Sequence, residues 1–347
     1  MDKLAVIILN YNGVHFLKRF LPGIIQYNDG YPLYVVDNKS TDTSVEFLKE
    51  TYPDHVRCIE LDNNYGFCGG YNRAAEIIEA EYYVFLNSDI EVTQGWLNPL
   101  ITLLDENEDI AACQPKLLDY NHRDTFEYAG AGGGFIDILG YPFCRGRLFH
   151  TMEKDYGQYD DIVPVFWASG ACMLIRSGVF SEMGGFDDDF FAHMEEIDLC
   201  WRIKNTGQQV YYNGLSRVYH VGGGTLHQSN PFKTYLNFRN SLITLIKNER
   251  SSGLFWKLPS RLVLDLAASI KFLVKDSLGD ALAVVKADLH VIFRFRKYAK
   301  KRKGNKGEAR TWTGRYSRIL VISYYILHRK FFFNLRSVIP DRIVSPS

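Results

Sequence analysis

Two patterns alternate along the first 120 residues. Short apolar runs at 4–9, 34–36, 56–61 and 82–86 read as strands, and the stretches near 14–27, 42–51 and 70–80 between them read as helices. This βαβα rhythm predicts a parallel sheet with helices on both faces. The Ser40-Thr41-Asp42 cluster precedes Val45, Phe47 and Leu48 and supplies an N-cap for the second helix. From 119 to 165 no period is sustained, and the Gly-, Tyr- and Asp-rich sequence predicts a loop or lid. A strand over 171–175 and a helix over 195–205, ended by Thr206-Gly207, follow. From 254 to 299, apolar stretches such as 262–266 and 270–274 are mixed with lysines and arginines, which predicts amphipathic helices.

In sheets of this kind ligands bind beyond the carboxyl ends of the strands. The residues there are Asn10, Tyr11 and Asn12 after the first strand, Asp37 and Asn38 after the second, and Asn87, Ser88 and Asp89 after the fourth. Asp89 puts a carboxylate on a turn where a divalent cation could bridge it to a diphosphate; an isolated Asn-x-Asp is more often a simple turn. Glu195, Glu196 and Asp198 crowd the first turn of a helix, where the dipole favours negative charge and Asp198 can pair with Arg202. His220 precedes Val221-Gly222-Gly223-Gly224, whose backbone can approach a phosphate closely. The glycines at 130 and 132–134 do not complete G-x-G-x-x-G, because Phe135 takes the last position.

Composition changes this picture in one respect. The chain of 347 residues is formally neutral, yet it carries 20 basic and 34 acidic side chains up to residue 250 and 20 and 6 beyond it. An acidic body is followed by a basic tail. Six cysteines without C-x-x-C spacing fit a reducing cytosol. The apolar run at 4–9 is too short for a signal peptide, and 319–327 falls well short of the roughly 20 residues a membrane span needs.

Taken in order, Ile7-Ile8-Leu9-Asn10-Tyr11-Asn12, Val35-Val36-Asp37-Asn38-Lys39-Ser40-Thr41-Asp42, Asn63-Asn64-Tyr65-Gly66-Phe67-Cys68-Gly69-Gly70-Tyr71-Asn72 and Leu86-Asn87-Ser88-Asp89 resemble family 2 glycosyltransferases of the GT-A fold. Trp167-Ala168-Ser169-Gly170, Gly184-Gly185-Phe186-Asp187, Glu195-Glu196-Ile197-Asp198 and His220-Val221-Gly222-Gly223-Gly224 look like the bacterial rhamnosyltransferase branch. The resemblance covers residues 1 to about 248. It implies an α/β GT-A fold, a mixed and mainly parallel sheet flanked by helices over 1–248, with a helical, basic C-terminal region over 249–347.

The resemblance also implies roles. Asn10, Tyr11, Asn12, Asp37, Asn38, Gly66, Gly70, Asn72, Asn87 and Ser88 would line the donor pocket, and Trp167, Ser169, Gly170 and Asp187 the acceptor side. Asp89 would be the metal-binding acid of the D-x-D motif, here with Asn87 first, and His220 would reach Mg²⁺ or Mn²⁺ or the diphosphate from the other side. Glu196 takes the place of an Asp as catalytic base, ionised near neutral pH, with Glu195 and Asp198 beside it. The implied activity is an inverting transfer from a nucleotide-diphosphate sugar, with dTDP-rhamnose favoured and UDP-hexoses open, to a lipid-linked or cell-surface glycan.

Arg294, Arg296, Lys297, Lys300, Lys301, Arg302 and Lys303 form a polybasic run, with Phe293, Phe295, Tyr298 and Phe331-Phe332-Phe333 as interfacial anchors. They favour the cytoplasmic face of the inner membrane over a specific nucleic acid or a homo-oligomer contact. A nucleotidyltransferase and a catalytically silent glycan-binding protein are the competing classes; the turn Asn10-Tyr11-Asn12-Gly13 lacks the cation the former needs.

Overall fold

A computed structural model describes residues 1–222, 230–275, 277–302 and 312–335. Gly223, Gly224 and Lys303 lie outside the described residues. The first half runs β1 (Asp2–Asn10), α1 (Val14–Gln26), β2 (Leu33–Asp37), α2 (Ser44–Thr51), β3 (Arg57–Glu60), α3 (Gly66–Ile77), β4 (Ala80–Asn87), β5 (Ile90–Val92), α4 (Asn98–Glu106) and β6 (Ile110–Asp119). Four short strands follow, β7 (Gly134–Ile136), β8 (Pro142–Cys144), β9 (Arg147–Leu148) and β10 (Thr151–Met152). Then come β11 (Ile162–Val165), β12 (Cys172–Arg176), α5 (Ser177–Met183), α6 (Glu195–Thr206), β13 (Gln209–His220) and α7 (Pro231–Asn248). The C-terminal helices are α8 (Ser251–Val274), α9 (Leu278–Phe293), α10 (Phe295–Lys300) and α11 (Leu320–Tyr325).

Among the described residues the main sheet has nine strands in the order β11-β13-β6-β12-β4-β1-β2-β3, with β5 also on β13. The block β3-β2-β1-β4 is parallel, β12 inserts antiparallel between β4 and β6, and β13 runs parallel to β6. Alternate residues of β1 supply two cores: Ala5 and Ile7 pack on one face, and Leu4, Val6 and Ile8 on the other. Helices cover both faces of the parallel strands, so these read as unbroken apolar runs. This is the mixed, mainly parallel sheet that the βαβα rhythm predicts.

Three local expectations change. Helix α3 begins at Gly66 and takes in Gly69 and Gly70, four residues before the expected start. A Cβ on Gly70 would lie 2.5 Å from Leu9 Cδ1, so bare backbone lets this helix settle against β1. The stretch 119–165 is ordered around the four-stranded antiparallel sheet β10-β9-β8-β7, with Phe126, Phe135, Ile136 and Phe143 buried. Its strands have only two or three residues, too few to reveal a period. Asp42 sits one residue before the α2 cap and accepts from Ser44 N at 3.0 Å and from Val14 N at 3.1 Å, tying α2 to the start of α1.

Candidate active site

At the carboxyl ends of β1 and β2, Asn10 faces Asp37 in register. Asn10 donates to Asp37 Oδ1 at 3.0 Å and to Ser40 Oγ at 3.2 Å, while Ser40 N donates to Asp37 Oδ2 at 2.8 Å. Asn12, at φ 51°, accepts from Thr41 N at 2.7 Å. Tyr11 and Asn12 stand open to solvent; Asn10 and Asp37 are buried beneath them and set their positions.

Several residues expected to touch the donor do other work. Asn38 is buried and braces the next loop, donating to Asn64 Oδ1 at 3.0 Å and Gly66 O at 2.9 Å and accepting from Tyr65 N at 2.9 Å. Gly70 is spent on the Leu9 contact. Asn72 is a strut across 114 residues, exchanging hydrogen bonds at 2.9 Å with the backbone of Phe186 and donating to Asp188 Oδ1 at 2.8 Å. Gly66, at φ 68°, lies under Phe191, whose ring a Cβ would meet at 2.6 Å.

Asp89 occupies the two-residue turn between β4 and β5, and β13 pairs His220 with Ile90. Asp89 and His220, expected on opposite sides of a pocket, therefore touch: His220 Nε2 is 3.1 Å from Asp89 Oδ1. Asn87 Nδ2 lies 3.4 Å from the same nitrogen, and Ser88 Oγ is 3.6 Å from the point where a Gly13 Cβ would stand. On the far side of the ring Glu127, buried and unforeseen in the sequence, stands 3.3 Å from Nδ1. Burial opposes a charge on His220, but Asp89 and Glu127 outweigh it and push the imidazole pKa up to about 10. Burial likewise opposes the Asp89 carboxylate, yet the facing imidazolium holds its pKa below the usual value.

Among the described residues no group of three or more His, Cys, Asp or Glu side chains is placed to hold a metal by itself. The donor set still fits a cation shared with a phosphate ligand. One carboxylate and one imidazole nitrogen converge, a second carboxylate backs the other ring nitrogen, and the remaining positions are left to phosphate and water oxygens.

The acidic cluster at the head of α6 divides sharply. Glu195 and Glu196 each keep an Oε2 that is sealed from solvent and without a hydrogen-bond partner. Burial, and then the charge of Glu196, drives the Glu195 pKa well above the carboxylate range; burial pushes Glu196 up to about 7. Desolvation thus works at Glu196 against the ionised form that the head of the helix favours. Asp198 leaves the catalytic set. It is fully buried and bonded to Arg202 Nε at 2.8 Å, Lys247 Nζ at 2.8 Å and Asn248 Nδ2 at 2.8 Å. Burial would raise its pKa, but Lys247 and Arg202 hold it below the ordinary range.

The acceptor-side expectations divide as well. Gly170 stays beside the acids, since a Cβ there would sit 3.6 Å from Glu196 Cβ and 3.4 Å from Phe67 Cζ. Trp167 is core; its indole donates to Phe135 O at 2.9 Å, and Gly134 makes room for its ring. Ser169 is buried and donates to Ala129 O at 2.6 Å. Asp187 is an ion-pair anchor, bonded to Lys247 and Lys301 at 2.6 Å each.

The loop entering α6 is held from α7. Phe191, His193 and Met194 all adopt positive φ, at 66°, 68° and 73°. Fully buried Asn240 donates to the carbonyls of Phe190, Ala192 and His193 at 3.1, 2.9 and 2.8 Å, and Arg239 donates to those of Asp189 and Phe190. No local sequence signal links α7 to this loop, 47 to 50 residues upstream.

The chain is 26% identical over 298 residues to N-acetylglucosaminyl-diphospho-decaprenol L-rhamnosyltransferase of Mycobacterium tuberculosis, covering 80% of this chain and 94% of that protein. It is 24% identical over 216 residues to rhamnosyltransferase WbbL of Escherichia coli, covering 60% and 79%. The fold is shared with the mannosyltransferase PcManGT from Pyrobaculum calidifontis, solved with GDP-Man and Mn²⁺ (TM-score 0.53, 14% identity, 86% of this chain and 83% of that one). GalNAc-T7, solved with UDP, GalNAc and Mn²⁺, is similar too (TM-score 0.55, 15% identity), although the match spans 71% of this chain and only 48% of that one. The mixed, mainly parallel sheet flanked by helices is the GT-A glycosyltransferase fold. The profile of the family described as "Glycosyl transferase family 2" matches residues 5–183, from β1 through the donor edge, Asp89 and Gly170 to the end of α5, and the chain belongs to that family.

Proposed function

We propose that this enzyme transfers a sugar, with inversion, from a nucleotide-diphosphate donor to a hydroxyl of a lipid-linked glycan at the cytoplasmic face of the membrane. Glu196 carries the reading: its Cβ lies beside Gly170, its Oε2 is left without a partner, and burial raises its pKa to about 7, which suits a base that takes up and releases a proton near neutrality. The acceptor hydroxyl gives its proton to Glu196 while its oxygen bonds the anomeric carbon. The bond from that carbon to the diphosphate oxygen breaks, and the nucleoside diphosphate leaves with the electron pair. Burial and the charge of Glu196 disfavour ionisation of Glu195, which spares Glu196 a neighbouring negative charge.

Asp89, His220 and Asn87 face the diphosphate, with Tyr11 and Asn12 at the nucleoside end. A bound Mg²⁺ or Mn²⁺, held by Asp89 and by His220 once its Nε2 proton is displaced, would offset the charge on the leaving group. The rhamnosyltransferase relatives favour dTDP-rhamnose over UDP-hexoses and a polyprenyl-linked acceptor.

Because Glu196 must lose its proton to act, kcat/KM is expected to rise with pH through a limb near 7. Glu196→Gln is expected to lower kcat by about 10²- to 10⁴-fold and to abolish that limb while donor affinity stays unchanged. Wild-type kcat in this variant, or a product of retained configuration, would overturn the assignment. A panel of nucleotide sugars, scored by diphosphate release, identifies the donor.

A further inference from the structure

Helix α8 meets the protein through Leu254, Leu258 and Leu262, which pack on the core, and through a polar stripe beside them. Its buried side chains are Lys257, Arg261, Asp265 and Ser269, a polar stripe repeating every four residues that faces the protein. Each is met there: Lys257 by Glu249, Arg261 by Ser241 Oγ at 2.8 Å, Asp265 by Tyr141 OH at 2.9 Å and Ser269 by Ala281 O at 3.1 Å. The opposite side of the helix shows Val263, Leu266 and Ile270, 67%, 57% and 54% exposed. Helix α9 extends the surface with Leu282, Val285 and Leu289, again 40% exposed or more. Lys271 Nζ donates to Tyr325 OH at 3.1 Å, which joins the apolar end of α11 to the same face.

We propose that the outer face of α8 and α9 is embedded in the headgroup and upper acyl region of an anionic lipid bilayer. A polar stripe turned inward and a continuous apolar face turned outward depart from the pattern of a water-facing helix, so the medium this outer face fits is apolar. No described helix is long and apolar enough to cross a membrane, so the pair lies in the interface. Charge decides between lipid and a second copy of the chain. The exposed charged side chains described between 251 and 300 are all cations, Lys271, Lys275, Lys286, Arg294, Arg296 and Lys300 among them. Phosphate headgroups complement that rim, whereas a two-fold contact would set it against itself. Lys297, Lys301 and Arg302 of the polybasic run turn inward instead, to Asp189, Asp187 and the carbonyls of Ile246 and Glu249. This deepens the reading of the acceptor as lipid-linked and rests on it.

The test is flotation of the full chain with vesicles of phosphatidylcholine and phosphatidylglycerol, at low and high salt. Wild type is expected to bind at low salt and to keep most of its binding at high salt, because apolar insertion is not screened. Leu266→Glu, Ile270→Glu and Leu282→Glu combined should lose about a hundredfold or more in vesicle affinity at either salt. Diphosphate release from the donor and the circular dichroism spectrum should be unchanged in that variant, since these side chains are more than half exposed and lie outside the buried core. Lys271→Gln with Lys275→Gln and Lys286→Gln should weaken binding at low salt only. Wild-type flotation by the apolar variant overturns the proposal, as does a wild-type dimer that the variant splits without change in vesicle affinity. Vesicle binding with no sugar transfer to any lipid-linked acceptor would keep this inference and remove the acceptor reading alone.

Discussion

Two carboxyl groups held side by side away from water oppose each other's ionisation: burial and the charge of Glu196 raise the Glu195 pKa well above the carboxylate range, and burial raises that of Glu196. His220 meets the opposite circumstance, a basic group between two carboxylates, which raises its pKa, so a metal binding at Nε2 would displace a proton from it. Glu127 is the residue here that no motif pointed to, because its contact with His220 arises only when β13 lies beside the end of β6. A carboxylate on the distal ring nitrogen of a metal-binding histidine fixes the ring and raises its basicity. Glu127→Gln should therefore weaken Mn²⁺ binding by about 10- to 100-fold in titration calorimetry, with the Asp89 and His220 side chains untouched. Unchanged Mn²⁺ affinity would reduce Glu127 to a packing role.

Within elements the sequence is legible where a signal is local and silent where it depends on what comes to lie opposite. Strands β1, β2 and β4 and helix α6 follow from contiguous apolar runs and from the Thr206-Gly207 stop, and the turn carrying Asp89 follows from β4. The same reading assigns Asn72 and Gly70 to the donor, since nothing local says that their neighbours are Phe186 and Leu9. Periodicity likewise marks α8 as two-faced without saying which face meets the protein. The loop into α6 is the element whose geometry matters most for Glu196, and left-handed backbone at three non-glycine residues costs roughly 1–2 kcal/mol each. Asn240 offsets this with one amide aimed at three carbonyls. Asn240→Ala takes that donor from the Ala192 and His193 carbonyls, while Phe190 O keeps Arg239, so we expect a loss of about 1–3 kcal/mol in urea unfolding, together with a fall in kcat at unchanged donor KM. A donor KM that rose in step with the fall in kcat would place the loop in donor binding instead.

At the scale of the molecule, the opposed charges of body and tail are partly answered internally. Lys297 and Lys301 close on Asp187 and Asp189, and Lys257 and Arg315 close on Glu249. The apolar core also crosses residue 248: Tyr298, Trp312, Tyr316, Leu320 and Phe332 belong to the same buried cluster as Ile7, Phe85 and Trp201. Phe332 packs on Phe135 at 4.9 Å, and Arg315 pairs with Ile136 beside the small sheet. A tail that served only the acceptor could be removed after Arg250 with donor affinity intact. A tail that completes the core could not, because truncation strips cover from Phe135, Phe143 and Trp201 and leaves Asp187 without Lys301. The full chain should therefore unfold in urea with coincident midpoints by tryptophan fluorescence and far-ultraviolet circular dichroism. Phe332→Ala should shift both midpoints together, by about 3–5 kcal/mol in stability. The chain ended at Arg250 should lose donor binding along with its cooperative transition. Two separated transitions, or a truncated chain that binds donor as the full one does, would mean that residues 249–347 fold apart from the catalytic sheet.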